Sequence, residues 1–318
     1  MSDKLASEVV PADAAGIARA AAILRAGGLV AVPTETVYGL AARADSEAAV
    51  AAIYRAKGRP DFNPLIVHVG SLEQAEGLAI FDGRARDLAA RFWPGPLTLV
   101  LPLREGAPAA PAVTAGLPTI ALRMPAHPAM RALLAETGLP LAAPSANRSG
   151  AVSPTEAAHV RASLGETVEL VLDGGRCERG LESTIVALRK DGSWQLLRPG
   201  PVEEAQISAI LGRRHDVASA RIEAPGQLAS HYSPGKPLRL DAASAQADEF
   251  MIGFGRVAGD CSLSERGDLA EAAARLYTCL HLAAGAPQPR IAVAPVPGEG
   301  IGAAIRDRLS RAAVQDRA

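Results

Sequence analysis

The sequence predicts an α/β protein: a mixed, twisted open sheet flanked by helices, followed by a smaller second α/β unit. Three observations carry this. Short apolar runs of strand length alternate with helical periodicities through residues 12–211. Lys190-Asp191-Gly192 lies between the runs STIVAL and WQLLRP, a hairpin signal that rules out a purely parallel sheet. Two further strand runs, EFMIGFG and RIAVAPV, each precede a helical stretch near the C-terminus.

The elements follow in order. Residues 12–26 predict a helix, with Ile17, Ala20, Ala21 and Leu24 on one face and Gly27-Gly28 ending it. LVAVP (29–33) is a strand and TETVYG a polar turn. Asp45-Ser46 opens a helix that carries Val50, Ile53 and Tyr54 and stops at Lys57-Gly58. PLIVHV (64–69) is a strand, and Ser71 with Gln74 fits a capping box. LTLVLPL (97–103) and TIALRM (119–124) are strands joined by a loop rich in Pro, Ala and Gly. A helix near 127–137 leads to the strand LPLAAPSAN. Ser153, Pro154 and Glu156 predict a helix start as N-cap, N1 proline and N3 acid. VELVLD is a strand, and a last helix spans about 202–211. Residues 1–212 form one domain on this reading, 213–240 a linker without periodicity, and 241–318 a small α/β unit.

Composition excludes several classes. The 318 residues carry 33 basic and 34 acidic side chains, so overall charge cannot drive nucleic-acid binding. A hydrophobic content of 48% supports a proper core and excludes bulk disorder. Aromatics are only 3%, too few for base-stacking platforms. Cys177, Cys261 and Cys279 lack metal-ligand spacing and argue against a disulfide framework. MSDKLASEVV has no apolar core and no long apolar window follows, so neither a signal peptide nor a membrane span is expected, and the expected location is cytoplasmic. The P-loop, GxGxxG, CxxC, HExxH and GxSxG patterns are missing, and six scattered histidines suggest no zinc site.

Four segments combine polar side chains with stiff backbone near strand ends: Pro33–Leu40, Lys57–His68, Pro144–Asn147 and Glu182–Ile185. Lys57 and Arg59 are two apart; in an extended segment both cations fall on one side, making an anion clamp beside Gly58 and Pro60. Ser145 and Asn147 repeat that spacing with a hydroxyl and an amide. Taken singly, each has a bland reading: a solvated helix-end charge pair, turn chemistry after a strand, a satisfied core histidine at His68.

Together and in order, "VPTETVYGL", "KGRP…NPLIVHV", "WPGPLTLVL", "LRMPAHP", "APSANRSG", "LESTIV" and "LLRPG" resemble the YrdC-type domain of threonylcarbamoyl-AMP synthases over about residues 12–211. "PGQLASHYSPGKPL" (225–238) resembles the linker of the family's long form, and the remainder its small Rossmann-like C-terminal domain. The resemblance implies a nucleotidyltransferase that joins L-threonine, bicarbonate or CO2, and ATP into L-threonylcarbamoyladenylate and pyrophosphate. That product serves threonylcarbamoyl modification of the adenosine at position 37 of tRNA.

Carried over by motif, Thr36, His68, Arg123, Ala143 and Ser183 are expected to hold threonine, with Arg123 pairing its carboxylate. Arg59, Asn63, Thr119, Ser145, Ser153, Arg198 and Tyr232 are expected to contact ATP. Lys57 and Asn147, with Arg59 and Ser145, are expected to complete the catalytic polar core. Mg2+ is expected on the triphosphate, with no metal held by the protein alone. Whether His68 is a base or a substrate contact stays open. The implied partners are these small molecules and the downstream tRNA threonylcarbamoyl transferase machinery; a weak RNA contact is left open. The alternative is a non-enzymatic module for double-stranded RNA or ribosome assembly. A carbamoyl-transfer domain of the hydrogenase-maturation kind is disfavoured, because no acylphosphatase or zinc-finger segment accompanies it.

Overall fold

The computed structural model describes residues 7–214, 222–228 and 230–314. Its larger sheet is mixed, as the hairpin signal requires. In space the strands run β1 (Glu8–Pro11), β8 (Leu170–Asp173), β2 (Val30–Val32), β3 (Gly39–Arg43), β7 (Leu141–Ala142), β4 (Ile66–His68), β6 (Thr119–Arg123), β5 (Leu97–Pro102), β9 (Thr184–Leu188), β10 (Trp194–Arg198). The β9–β10 pair is the antiparallel hairpin, while β5 and β9 are parallel.

Alternation along each strand assigns its residues to two faces. On one face lie Ala31, Leu40, Val67, Leu99, Leu122 and Val186. The helices covering them are α2 (Glu47–Lys57), α4 (Gly83–Phe92), α5 (Pro111–Thr114), α7 (Ala157–Leu164) and α8 (Glu204–Leu211). The opposite face divides. Over β8 and β2 it is covered by α1 (Ala14–Arg25) and α6 (Pro128–Thr137), through Ile17, Leu24, Met130 and Leu133. Over β4, β6, β5 and β9 no helix among the described residues covers it. Ile66, Val100, Ala121, Ile185 and Ala187 form a small apolar floor there, capped by Ala224.

Several elements differ from expectation. Ser153 is not a helix cap: its hydroxyl donates to Glu182 at 2.6 Å, and α7 starts four residues later with Glu156 as N-cap. A buried carboxylate competes successfully for that hydroxyl. At α3 (Leu72–Leu78), Ser71 caps Gln74 as expected, but the Gln74 side chain returns to the Gly70 amide rather than Ser71. Residues 39–43, read within or beyond a turn, form β3, which pairs antiparallel with β2. The loop before TIALRM contains α5, and α4 and β1 also escaped the sequence reading.

The second unit has four strands in the order β11 (Leu238–Arg239), β14 (Arg290–Val293), β12 (Glu249–Gly253), β13 (Cys261–Ser262), all parallel. Helices α9 (Leu269–Gly285) and α10 (Ile301–Ala313) pack beside it. β11 lies inside the stretch expected to be linker, because a two-residue strand has no periodicity to read. That stretch is also no loose spacer: Ala224, His231 and Tyr232 are buried. Part of it, 215–221 and 229, lies outside the described residues. Val37, Val152 and Leu181 of the first unit join the second unit's core, so the two share a continuous apolar junction.

Candidate functional site: a cleft on the uncovered sheet face

The cleft lies where the strands carry polar residues on the uncovered face. His68, Thr98, Arg123 and Ser183 share that face with the apolar floor, each an even number of residues from Ile66, Val100, Ala121 and Ile185. A cavity of about 530 Å³ of empty space is lined there by Thr36, Arg59, His68, Arg123, Ala143, Ser145, Glu182, Ser183, Arg198 and Tyr232, among others.

One end is organised around Arg123. Its Nε donates to the Gly95 carbonyl at 3.2 Å, one terminal nitrogen to Thr36 Oγ1 at 2.9 Å, and the other to Glu35 Oε1 at 2.5 Å. Glu35 Oε2 accepts from the Ala126 and His127 amides, at 3.0 and 3.3 Å. The Arg123 cation and these amides hold the Glu35 carboxyl below its usual range despite burial. Arg123 is therefore not the unengaged fork that the sequence suggested. A guanidinium has five N–H donors, so one on each terminal nitrogen remains. Next to it, both His68 nitrogens are buried without a partner. Burial, reinforced by the Arg123 charge, pushes the His68 pKa down to about 3, so the ring is neutral at physiological pH.

The other end gathers two guanidiniums. Arg59 donates from Nε to Asn63 O at 3.1 Å and from a terminal nitrogen to Pro64 O at 2.9 Å. Arg198 donates to Ser183 O at 3.0 Å, Ser183 Oγ at 3.1 Å and Pro225 O at 3.4 Å. Both are at most 8% exposed, and neither forms a salt bridge among the described residues. Burial first, and like-charge repulsion from Arg198 after it, lower the Arg59 pKa to about 10. Tyr232 closes this end: it has φ 65, a strained conformation for a tyrosine, and its buried hydroxyl has no partner.

Nine of the expected residues line this cavity: Thr36, Arg59, His68, Arg123, Ala143, Ser145, Ser183, Arg198 and Tyr232. Lys57, Asn63, Thr119, Asn147 and Ser153 do not. Lys57 and Arg59 are not on one side of an extended segment. Lys57 is the last residue of α2, and Gly58 reverses the chain in the left-handed region at φ 58. The Lys57 ammonium instead donates to the Ser145 and Asn147 carbonyls behind the cavity wall. Asn147 likewise turns its amide to the Arg148 and Ala151 carbonyls, at 2.9 and 2.8 Å. Asn63 contributes its carbonyl to Arg59. Thr119 shares the Arg123 face of β6 but stands at the strand's far end, beyond Ala121. The residues missed are Glu35, Glu182 and His231; each sat in a segment already singled out, and no periodicity marks a buried acid as part of a site.

The chain that folds into this mixed sheet, with a cation-rich cleft on its bare face, matches two described family models. The family model described as "Telomere recombination" (Sua5/YciO/YrdC) matches residues 22–200, and one described as "Threonylcarbamoyl-AMP synthase, C-terminal domain" matches residues 202–314. The chain belongs to the Sua5/YciO/YrdC family. It is 41% identical over 322 residues to the threonylcarbamoyl-AMP synthase of Bacillus subtilis, covering 93% of this chain and 92% of that protein. With the Pyrococcus abyssi threonylcarbamoyl-AMP synthase it shares 47% identity over 224 residues, 68% of this chain and 64% of that one. The crystal structure of P. abyssi Sua5 complexed with L-threonine superposes with a TM-score of 0.85 at 37% identity, covering 93% and 94% of the two chains.

Proposed function

We propose that this chain is an L-threonylcarbamoyladenylate synthase, joining L-threonine, bicarbonate or CO2, and ATP with release of pyrophosphate. The observation that carries the reading is the division of one cleft into two chemistries. Arg59 and Arg198 are buried cations that form no salt bridge among the described residues, a setting that a polyphosphate stabilises. At the other end Arg123, Thr36 and His68 offer donors and an acceptor sized for an amino acid.

Threonine's carboxylate would take the two remaining Arg123 N–H groups. His68, Ala143 and Ser183 would complete its pocket. The amine, its ammonium proton lost to solvent, attacks the carbon of CO2, or of bicarbonate with loss of water, to give a carbamate; a carbamate oxygen then attacks the α-phosphorus, and pyrophosphate leaves. The protein's part is positioning and charge neutralisation, with no covalent nucleophile. A His68 pKa of about 3 favours the substrate-contact role, because so weak a base scarcely accepts a proton from an ammonium at neutral pH. Glu35 and Glu182 are already held by arginines and other donors, so Mg2+ would arrive on the triphosphate oxygens.

ATP would enter by displacing the segment that narrows this cleft. Ala224 packs on the apolar floor, and Pro225, Gly226, His231 and Tyr232 line one end of the cleft. Lifting this segment would open the floor toward Thr119, letting the nucleotide span from Arg59 and Ser145 to Thr119. Closing it would shield the labile adenylate from water. Lys57, Asn63, Asn147 and Ser153 then act by shaping this cleft. The product would pass to a tRNA-modifying transferase in the cytoplasm. An RNA-binding module is not supported: the polar groups converge inward on an enclosed space, and the relatives are named as synthases.

The test is pyrophosphate release by the purified chain. Release should require ATP, threonine and bicarbonate together. Release undiminished without threonine would mean a different adenylating activity.

A further inference from the structure

Glu182 is a buried carboxylate that lines the cleft, yet most of its partners come from elsewhere. Tyr277, on α9, places its hydroxyl 2.9 and 2.8 Å from the two carboxylate oxygens. Arg308, on α10, donates its Nε to Oε2 at 2.9 Å and a terminal nitrogen to Pro199 O at 2.9 Å. Among the described residues of the first unit, Ser153 donates to Glu182 at 2.6 Å. Arg308 is fully buried, and its guanidinium also lies 5.3 Å from the centre of the Tyr232 ring. Tyr277 stacks on the same ring at 5.7 Å. The loop before Glu182 is pressed onto α9: at Gly180, φ is +65 and an added Cβ would meet the Ala274 backbone at 2.5 Å.

We propose that Tyr277 and Arg308 are positioning residues for the cleft, through which the second unit sets both the Glu182–Ser183 wall and the closed placement of Tyr232. Two physical effects follow from the contacts. Arg308 neutralises Glu182, which would otherwise repel the anionic groups that Arg59 and Arg198 attract. Arg308 and Tyr277 also give the Tyr232 ring a fixed seat, compensating the strain of its backbone. The functional part of this inference rests on the synthase reading above, with ATP at the Tyr232 end.

The experiment uses the full chain with Tyr277→Phe, which deletes only the hydroxyl, and Arg308→Lys, which keeps the charge but loses the fork. Leu309→Ala, a core truncation on the same helix, supplies a variant destabilised without touching the cluster. Hydrogen exchange is measured over 181–184 and 230–233, together with KM for ATP and threonine. Both cluster variants should exchange faster in those two segments, by about tenfold for loss of one bond to a charged group. KM for ATP should rise several-fold more than KM for threonine. Leu309→Ala should lower Tm without this local pattern or the KM split. Unchanged local exchange in both cluster variants, or the same pattern in Leu309→Ala, overturns the proposal. If the wild type makes no pyrophosphate while the exchange pattern appears, the synthase reading fails and the structural coupling stands.

Discussion

The imidazole rings of His159 and His281 stack 3.8 Å apart, 16° from parallel, across the junction between the two units. Burial pushes both pKa values down to about 4, with Arg176 lowering His159 further and His159 lowering His281. Each folded-state value lies below the unfolded value of about 6.5. The neutral pair's contribution is therefore complete above pH ~6.5 and is lost as pH falls toward about 4. Thermal melts between pH 4 and 7 should show Tm falling on acidification. His281→Gln should flatten part of that slope; a slope equal to wild type would remove the stack as a cause.

Lys57 and Arg59 should separate by phenotype. Lys57→Ala leaves the Ser145 and Asn147 carbonyls without their ammonium donor, at about 1–3 kcal/mol for each buried group. It should lower Tm by roughly 2–4 °C per kcal/mol and loosen the loop that carries Ser145. Arg59→Ala relieves repulsion from Arg198 but also removes the donor to the Asn63 and Pro64 carbonyls, so its Tm loss should be smaller than that of Lys57→Ala, while turnover falls about tenfold to a hundredfold. Equal Tm losses with normal turnover in Arg59→Ala would remove Arg59 from the phosphate end.

Threonine selection should follow the polar groups around Arg123. A site that hydrogen-bonds a hydroxyl rejects an analogue lacking it far more strongly than one lacking a methyl, which costs only ~1–3 kcal/mol. Serine should be a poorer but measurable substrate and 2-aminobutyrate much worse. Comparable kcat/KM for the two analogues would falsify hydroxyl recognition.

Gly226 reports on closure. Its φ is +84, and an added Cβ would lie 2.9 Å from Arg198 Cδ and 3.0 Å from the Tyr232 hydroxyl. Gly226→Ala should hold the segment away from the cleft, raising KM for ATP more than for threonine. In the wild type, proteolysis within 213–240 should slow when ATP and threonine are both added. If cleavage rates ignore the ligands and Tyr232→Ala matches wild type, the segment is a tether.

Much of the fold is legible from local chemistry. Ser46 and Gly58 bound α2 as N-cap and left-handed C-cap, and Asp13 caps α1, because caps act within one helical turn. The β9–β10 hairpin follows from its own turn. β3, β11 and β13 were missed because strands of two to five residues carry too little alternation to read and take their identity from the strands they pair with, for β3 and β11 ones far along the chain. Ser153 shows the same limit at one residue: its local pattern specifies a cap, but Glu182, 29 residues away, takes its hydroxyl.

The sequence by itself determined the α/β class and the order of the polar segments, because strand alternation is a local property, and the resemblance those segments carry named nine residues that line the cleft. Tertiary structure alone decided which charges face the cavity. Lys57 turned out to brace a loop, Arg123 to share its fork with Glu35, and Glu182 to be neutralised from a second unit more than a hundred residues on. A buried charge must find its partner wherever packing brings one, and that partner's position in the chain carries no signature beside the charge itself.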